Sequence, residues 1–152
     1  MLKYFYENDL VRFSEKKPGN WEEAVQISCD NLLEKKIINQ TYVEEIIACV
    51  KEFGPYIVIV PGVAMPHSSE KSKGVFGTAI SFTKMPADVV FEEGNPEKNA
   101  CLFFTLAAKN PEEHMENIAN LSELLMVEGL IEDLSATNSL ADYQGVMEKY
   151  QL

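Results

Sequence analysis

Four consecutive β-branched residues, Ile57-Val58-Ile59-Val60, stand between the turn signals Gly54-Pro55 and Pro61-Gly62. A run this short, bracketed by breakers, reads as a buried central strand. A short apolar loop, Val63-Ala64-Met65, follows it and ends in Pro66-His67, with polar Ser68-Ser69-Glu70 beyond. The strand therefore delivers an imidazole just past its carboxyl end, where open α/β sheets bind their ligands. Pro66 removes a backbone donor and restricts Met65, so the histidine sits on a stiffened segment.

The rest of the chain supplies helices and further strands around that run. Residues 1–19 hold one candidate edge strand, Leu10 to Phe13, and a break at Lys16-Lys17-Pro18-Gly19. Asn20-Trp21-Glu22-Glu23 is a capping-box pattern and opens a helix to about Lys36; Thr41-Tyr42-Val43-Glu44 opens a second by the same device, with Gly54 as its stop. After His67 the pattern predicts strands at Val75–Phe82 and Asp88–Phe91, joined by a hairpin through Pro86. An acidic loop, Glu92 to Asn99, follows. Cys101–Ala107 is almost wholly apolar and reads as a central strand covered on both faces. Asn110-Pro111 then caps a third helix, with Glu113 completing the box. A short helix within Val127–Leu134 and a last one capped by Ser139, with Leu140, Tyr143, Val146, Met147 and Tyr150 inward, end the chain. The expected architecture is a single α/β domain over 1–152. It is three-layer α/β/α, with a mixed, mostly parallel central sheet of about five strands.

Charge and composition exclude several classes. A net charge of −11 argues against a nucleic-acid binder, whose affinity rests on Lys and Arg neutralising phosphates. No run approaches the ~18 apolar residues of a membrane span, and MLKYFYENDL is not a signal peptide. Cys29, Cys49 and Cys101 are odd in number and form no CxxC pair, so they read as free buried thiols in a reducing, cytoplasmic compartment. No zinc-type ligand spacing exists; neither a metal nor another cofactor is expected.

The chain has two histidines, His67 and His114, each just past a strongly apolar strand. His114 lies in the first turn of the third helix, four residues before Ile118 and seven before Leu121, so it faces the sheet's rim. If the strands ending at Val60 and Ala107 are parallel neighbours, the two imidazoles meet across a crevice. The N-terminus of the third helix would favour a phosphoryl group there, provided Glu112 and Glu113 turn away. An imidazole with a pKa near 6.5 keeps a free lone pair at neutral pH and can carry a group covalently. A second histidine, with Thr105, Ser68 and Ser69, could hydrogen-bond the incoming oxygens. The plainer reading makes His67 a polar rim residue and His114 a helix-start residue. A serine nucleophile at Ser68 lacks an elbow motif and a triad.

Pro61-Gly62-Val63-Ala64-Met65-Pro66-His67 resembles the IIA components of the bacterial sugar phosphotransferase system, of the mannitol–fructose type. Leu106-Ala107-Ala108, His114-Met115 and Leu121-Ser122-Glu123-Leu124-Leu125 resemble that family's second histidine region, 114 − 67 = 47 positions on. GPYIVIVPGVAMPH looks most like the ascorbate-type branch. The resemblance implies a cytoplasmic, free-standing IIA phosphotransferase. His67 would accept a phosphoryl group from the phosphocarrier protein HPr and pass it to a cysteine on a IIB protein working with a membrane IIC, while His114 would stabilise the phosphorylated ring. Mannitol-type members carry an arginine sixteen positions before the active histidine; here that position is Lys51, a compact charge rather than a fork. Val63-Ala64-Met65 is either a contact patch around the histidine or ordinary core. A homodimer is compatible with an acidic subunit bearing apolar loops. The rival readings are a regulatory protein of the same fold that reports phosphorylation state by protein binding, and a small-ligand-binding domain with no covalent step.

Overall fold

The computed structural model describes residues 1–68 and 72–152. In chain order the elements are α1 (Leu2–Glu7), β1 (Val11–Phe13), α2 (Trp21–Glu34), α3 (Gln40–Phe53), β2 (Val58–Val60), β3 (Gly62–Ala64), β4 (Ala79–Val90), β5 (Asn99–Ala107), α4 (Pro111–Leu125), α5 (Leu130–Ser135) and α6 (Leu140–Tyr150). The strands form one sheet in the order β1-β4-β5-β3-β2. Mixed pairing and five strands match the expectation. The balance differs, because β1·β4 and β3·β5 are parallel while β4·β5 and β2·β3 are antiparallel.

Helices cover both faces, as a three-layer domain requires. On one face Trp21 of α2 stacks on Phe91, which in turn packs on Phe103 of β5. On the other, Phe5 of α1 meets Phe104, and Phe82 lies between Phe104 and Tyr143 of α6, with centroids 5.0 and 5.8 Å away. Phe5, Phe82, Phe103, Phe104 and Tyr143 are fully buried. Side chains of this size contribute about 1.5–3 kcal/mol each on burial, so this aromatic core anchors β4 and β5 between the layers. The buried Tyr143 hydroxyl keeps a partner by donating to Leu2 O at 2.7 Å.

The run Ile57–Val60 departs from its expectation. It is not central: β2 is an edge strand, and Ile59 and Val60 are 42% and 38% exposed. Pro61-Gly62 does not release the chain into a loop. Gly62, at φ 92°, turns it back into β3, where Val63 and Ala64 are buried and Met65 follows them inside. Core packing is therefore the answer for Val63-Ala64-Met65, and the contact-patch reading fails. It is β3, lying parallel beside β5, that leads to His67.

Other boundaries moved for local reasons. The two strands expected at Val75–Phe82 and Asp88–Phe91 are one strand, β4, and Pro86 lies inside it rather than in a hairpin. Its missing N–H is tolerated because the β4·β5 register is irregular between Lys84 and Val89. The cap of α3 is Asn39, not Thr41; its Oδ1 accepts from the Tyr42 N–H at 3.3 Å. Helix α1 had no expectation at all, and Leu140, expected inward on α6, is 48% exposed. The caps at Asn20, Asn110 and Ser139, the stop at Gly54 and the central place of β5 are as the sequence reads.

Candidate functional site

Two parallel neighbours, β3 and β5, end side by side, and each continues into a segment bearing a histidine. Their rings meet with centroids 5.5 Å apart at an angle of 48°, and both residues are half-buried. The crevice expected from the sequence thus forms, with β3 in the place assigned to β2. Beside it Tyr42, Ser68, Ser72, Val75, Ala108, Asn110 and His114 line a small polar recess.

The backbone leading through His67 is tied at nearly every polar group. Met65 N–H donates to Ile57 O at 2.7 Å, and Pro66 O accepts from Leu106 N–H of β5 at 3.0 Å. His67 O accepts from the Tyr56 hydroxyl at 2.5 Å, and Ser68 N–H reaches the Tyr42 hydroxyl at 3.4 Å. Tyr42 also donates to Leu106 O at 2.6 Å, which pins α3 to the end of β5. Burial drives the ordinary phenol pKa of both tyrosines upward, so both keep their protons as donors. Neither tyrosine was singled out from sequence. Each acts on a distant backbone carbonyl, and such a contact has no spacing signature. Gly74 packs against the start of α3: its carbonyl accepts from Asn39 N–H at 2.9 Å, and a Cβ there would lie 2.5 Å from Asn39 Oδ1 and 2.7 Å from Tyr42 N.

His67 Nδ1 lies 2.5 Å from Met65 O. A carbonyl only accepts, so Nδ1 carries the proton, and in the neutral ring Nε2 holds the free lone pair. Burial, offset by the Met65 carbonyl and reinforced by His114, holds the pKa of His67 below its ordinary value. The ring is therefore a neutral base with one defined nucleophilic nitrogen.

Helix α4 presents His114 through its first turn. Asn110 Oδ1 accepts from Glu113 N–H at 2.9 Å, and Asn110 O accepts from His114 N–H at 3.1 Å. With Pro111 lacking an N–H, this terminus offers fewer free donors than the sequence suggests. Glu113 does turn aside, accepting from Thr78 Oγ1 at 2.7 Å and Asn110 Nδ2 at 3.1 Å, and Glu112 is exposed.

Thr105 does not join the site. Its buried hydroxyl faces α2 instead and donates to Ser28 O at 3.1 Å. Ser68 lines the recess, and Ser69 lies outside the described residues. Lys51 is exposed in the last turn of α3. Of the thiols only Cys29 is fully buried, its pKa pushed up to about 12 by burial; Cys49 and Cys101 are half-buried. Among the described residues no group of three or more His, Cys, Asp or Glu is placed to hold a metal ion, and no helix is long and apolar enough to cross a membrane.

Comparison with known proteins places this geometry in context. The family model described as "Phosphoenolpyruvate-dependent sugar phosphotransferase system, EIIA 2" matches residues 5–149. The mannitol-specific cryptic phosphotransferase enzyme IIA component of Escherichia coli (strain K12) is 35% identical over 142 residues, covering 91% of this chain and 93% of that protein. The ascorbate-specific PTS system EIIA component of Salmonella choleraesuis (strain SC-B67) is 34% identical over 123 residues, 77% of each chain. Among solved structures, the solution structure of the Escherichia coli mannitol-specific cryptic enzyme IIA superposes with a TM-score of 0.81 at 30% identity, covering 97% of this chain and 98% of that one. Enzyme IIA of the Escherichia coli mannitol system, in complex with phosphorylated enzyme IIB, gives 0.75 at 26% identity, covering 91% and 94%.

Proposed function

The chain belongs to the EIIA type 2 family of the phosphoenolpyruvate-dependent sugar phosphotransferase system, and on that premise we propose that His67 is its phosphoryl acceptor and His114 the residue that stabilises the transferred group. The observation that carries this reading is the defined tautomer of His67: Nδ1 is committed to Met65 O, and Nε2 is left as the nucleophile, 5.5 Å ring to ring from the second imidazole.

The donor is the phosphohistidine of HPr. The Nε2 lone pair of His67 forms a bond to phosphorus as the donor's N–P bond breaks, and the departing imidazole keeps that electron pair. The Nδ1–H remains on Met65 O and disperses the positive charge that the ring acquires. His114 donates a hydrogen bond to a phosphoryl oxygen, which is the kind of charge stabilisation on which phosphoryl transfer depends. In the second half-reaction a cysteine thiolate of a IIB protein forms an S–P bond while the N–P bond breaks, and His67 returns to its neutral form. The relative solved with phosphorylated enzyme IIB supports that acceptor.

The substrate of the coupled transporter falls within the mannitol and ascorbate types of the relatives, and the GPYIVIVPGVAMPH stretch favours an ascorbate-like sugar acid. The working place of such a carrier is the cytoplasmic side of a membrane IIC. Intact mass after incubation with phosphoenolpyruvate, enzyme I and HPr tests the acceptor. Wild type should gain one phosphate and His67→Ala none. Equal gain by both would remove His67 from the role. No gain by either, with active controls, would favour a regulatory protein that binds partners without carrying phosphate.

A further inference from the structure

We propose that Tyr56 is a positioning residue for His67: by holding the His67 carbonyl it keeps Nδ1–H on Met65 O and leaves Nε2 as the reacting atom. The inference rests on His67 being the phosphoryl acceptor. The two neutral tautomers of an imidazole differ little in energy, so a single well-placed acceptor selects between them. That acceptor is Met65 O, two residues back along the same strand end, and the bond forms only while the 65–67 segment keeps one backbone geometry. The Met65 and Pro66 ends of the segment are tied through backbone groups to Ile57, just before β2, and to Leu106 of β5. The His67 carbonyl is tied by a side chain, the Tyr56 hydroxyl.

Tyr56 is itself rigidly placed. Its N–H donates to Gly54 O at 2.8 Å, in a turn that Gly54 enters at φ 83°. Its ring meets the His67 ring edge-on, with centroids 5.3 Å apart at 88°. The phenol therefore does two separable things: its hydroxyl fixes the peptide after His67, and its ring walls one side of the imidazole. Tyr56→Phe keeps the wall and removes the tether. Rotation of the freed peptide then lets the imidazole leave Met65 O, and the proton redistributes between the two nitrogens.

The test is ¹⁵N NMR of the histidine rings in unphosphorylated wild type and Tyr56→Phe, with melting temperature and phosphorylation rate measured on the same samples. Wild type should show His67 as the Nδ1–H form. Tyr56→Phe should show averaged nitrogen shifts and a near-unchanged melting temperature. Its phosphorylation rate should fall on the order of tenfold, the scale of lost orientation. An unchanged tautomer in Tyr56→Phe would overturn the proposal. Should that variant fold poorly, wild type still decides: the Tyr56 hydroxyl proton must be protected from exchange with water, and a freely exchanging proton would overturn the proposal. A tautomer shift in a protein that never takes phosphate would leave Tyr56 in its role and sink the function instead.

Discussion

At the scale of single residues, the proposed phosphoryl transfer turns on keeping one imidazole neutral and one nitrogen free. Burial lowers the pKa of His67 from its ordinary 6.5, which has two consequences. Phosphoryl acceptance by a histidine needs the neutral ring, so the acid-side midpoint of its rate should lie below pH 6.5. Rapid-quench rates against pH check this, and a midpoint at or above 6.5 would contradict it. For stability the sign follows from proton linkage. The unfolded chain binds the proton more readily, so this contribution is fully present above pH 6.5 and is lost as pH falls from there toward the folded pKa. The two histidines were legible because an imidazole after an apolar strand is a rare local event. The tyrosines that fix one of them were not, since Tyr42 and Tyr56 act on the carbonyls of Leu106 and His67, 64 and 11 residues away.

At the scale of elements, caps and turns decide where the functional groups stand. Asn110 is exposed, yet it holds the first turn of α4 and binds the Glu113 carboxylate, which the proposed function requires to stay clear of the phosphate. Asn110→Ala should cost about 1 kcal/mol and lower the melting temperature by about 2–4 °C. It should slow phosphate transfer while the protein stays folded. Calorimetry with a single-turnover assay checks both, and an unchanged transfer rate would show that the cap serves stability alone. Helix caps of this kind are readable because the residue types are local: Asn20, Asn110 and Ser139 all fell where expected. Asn39 did not, because Thr41 offered a competing pattern two residues on. Strand limits were harder. Pro86 marks a break in most strands, but β4 carries it through an irregular stretch of the ladder, and Gly62 turns a hairpin where Pro61-Gly62 looked like an exit.

At the scale of the whole molecule, the site exists because β3 and β5 are parallel neighbours in an otherwise mixed sheet. That pairing brings together two histidines 114 − 67 = 47 positions apart, and the aromatic layer of Phe5, Phe82, Phe104 and Tyr143 holds β5 in place beneath them. Central placement of β5 was legible from the nearly continuous apolarity of Cys101–Ala107. The identity of its neighbour was not, because a three-residue strand such as β3 has too few positions to show a period. The proposed function rests on one atom in that crevice, Nε2 of His67. The direct measurement is ¹H–¹⁵N and ³¹P NMR of the fully phosphorylated, ¹⁵N-histidine-labelled protein. The expected spectrum has phosphorus bonded to Nε2 of His67, Nδ1 still protonated, and the His114 resonances displaced by the neighbouring phosphate. Phosphorus on Nδ1, on His114 or on any other side chain would contradict it.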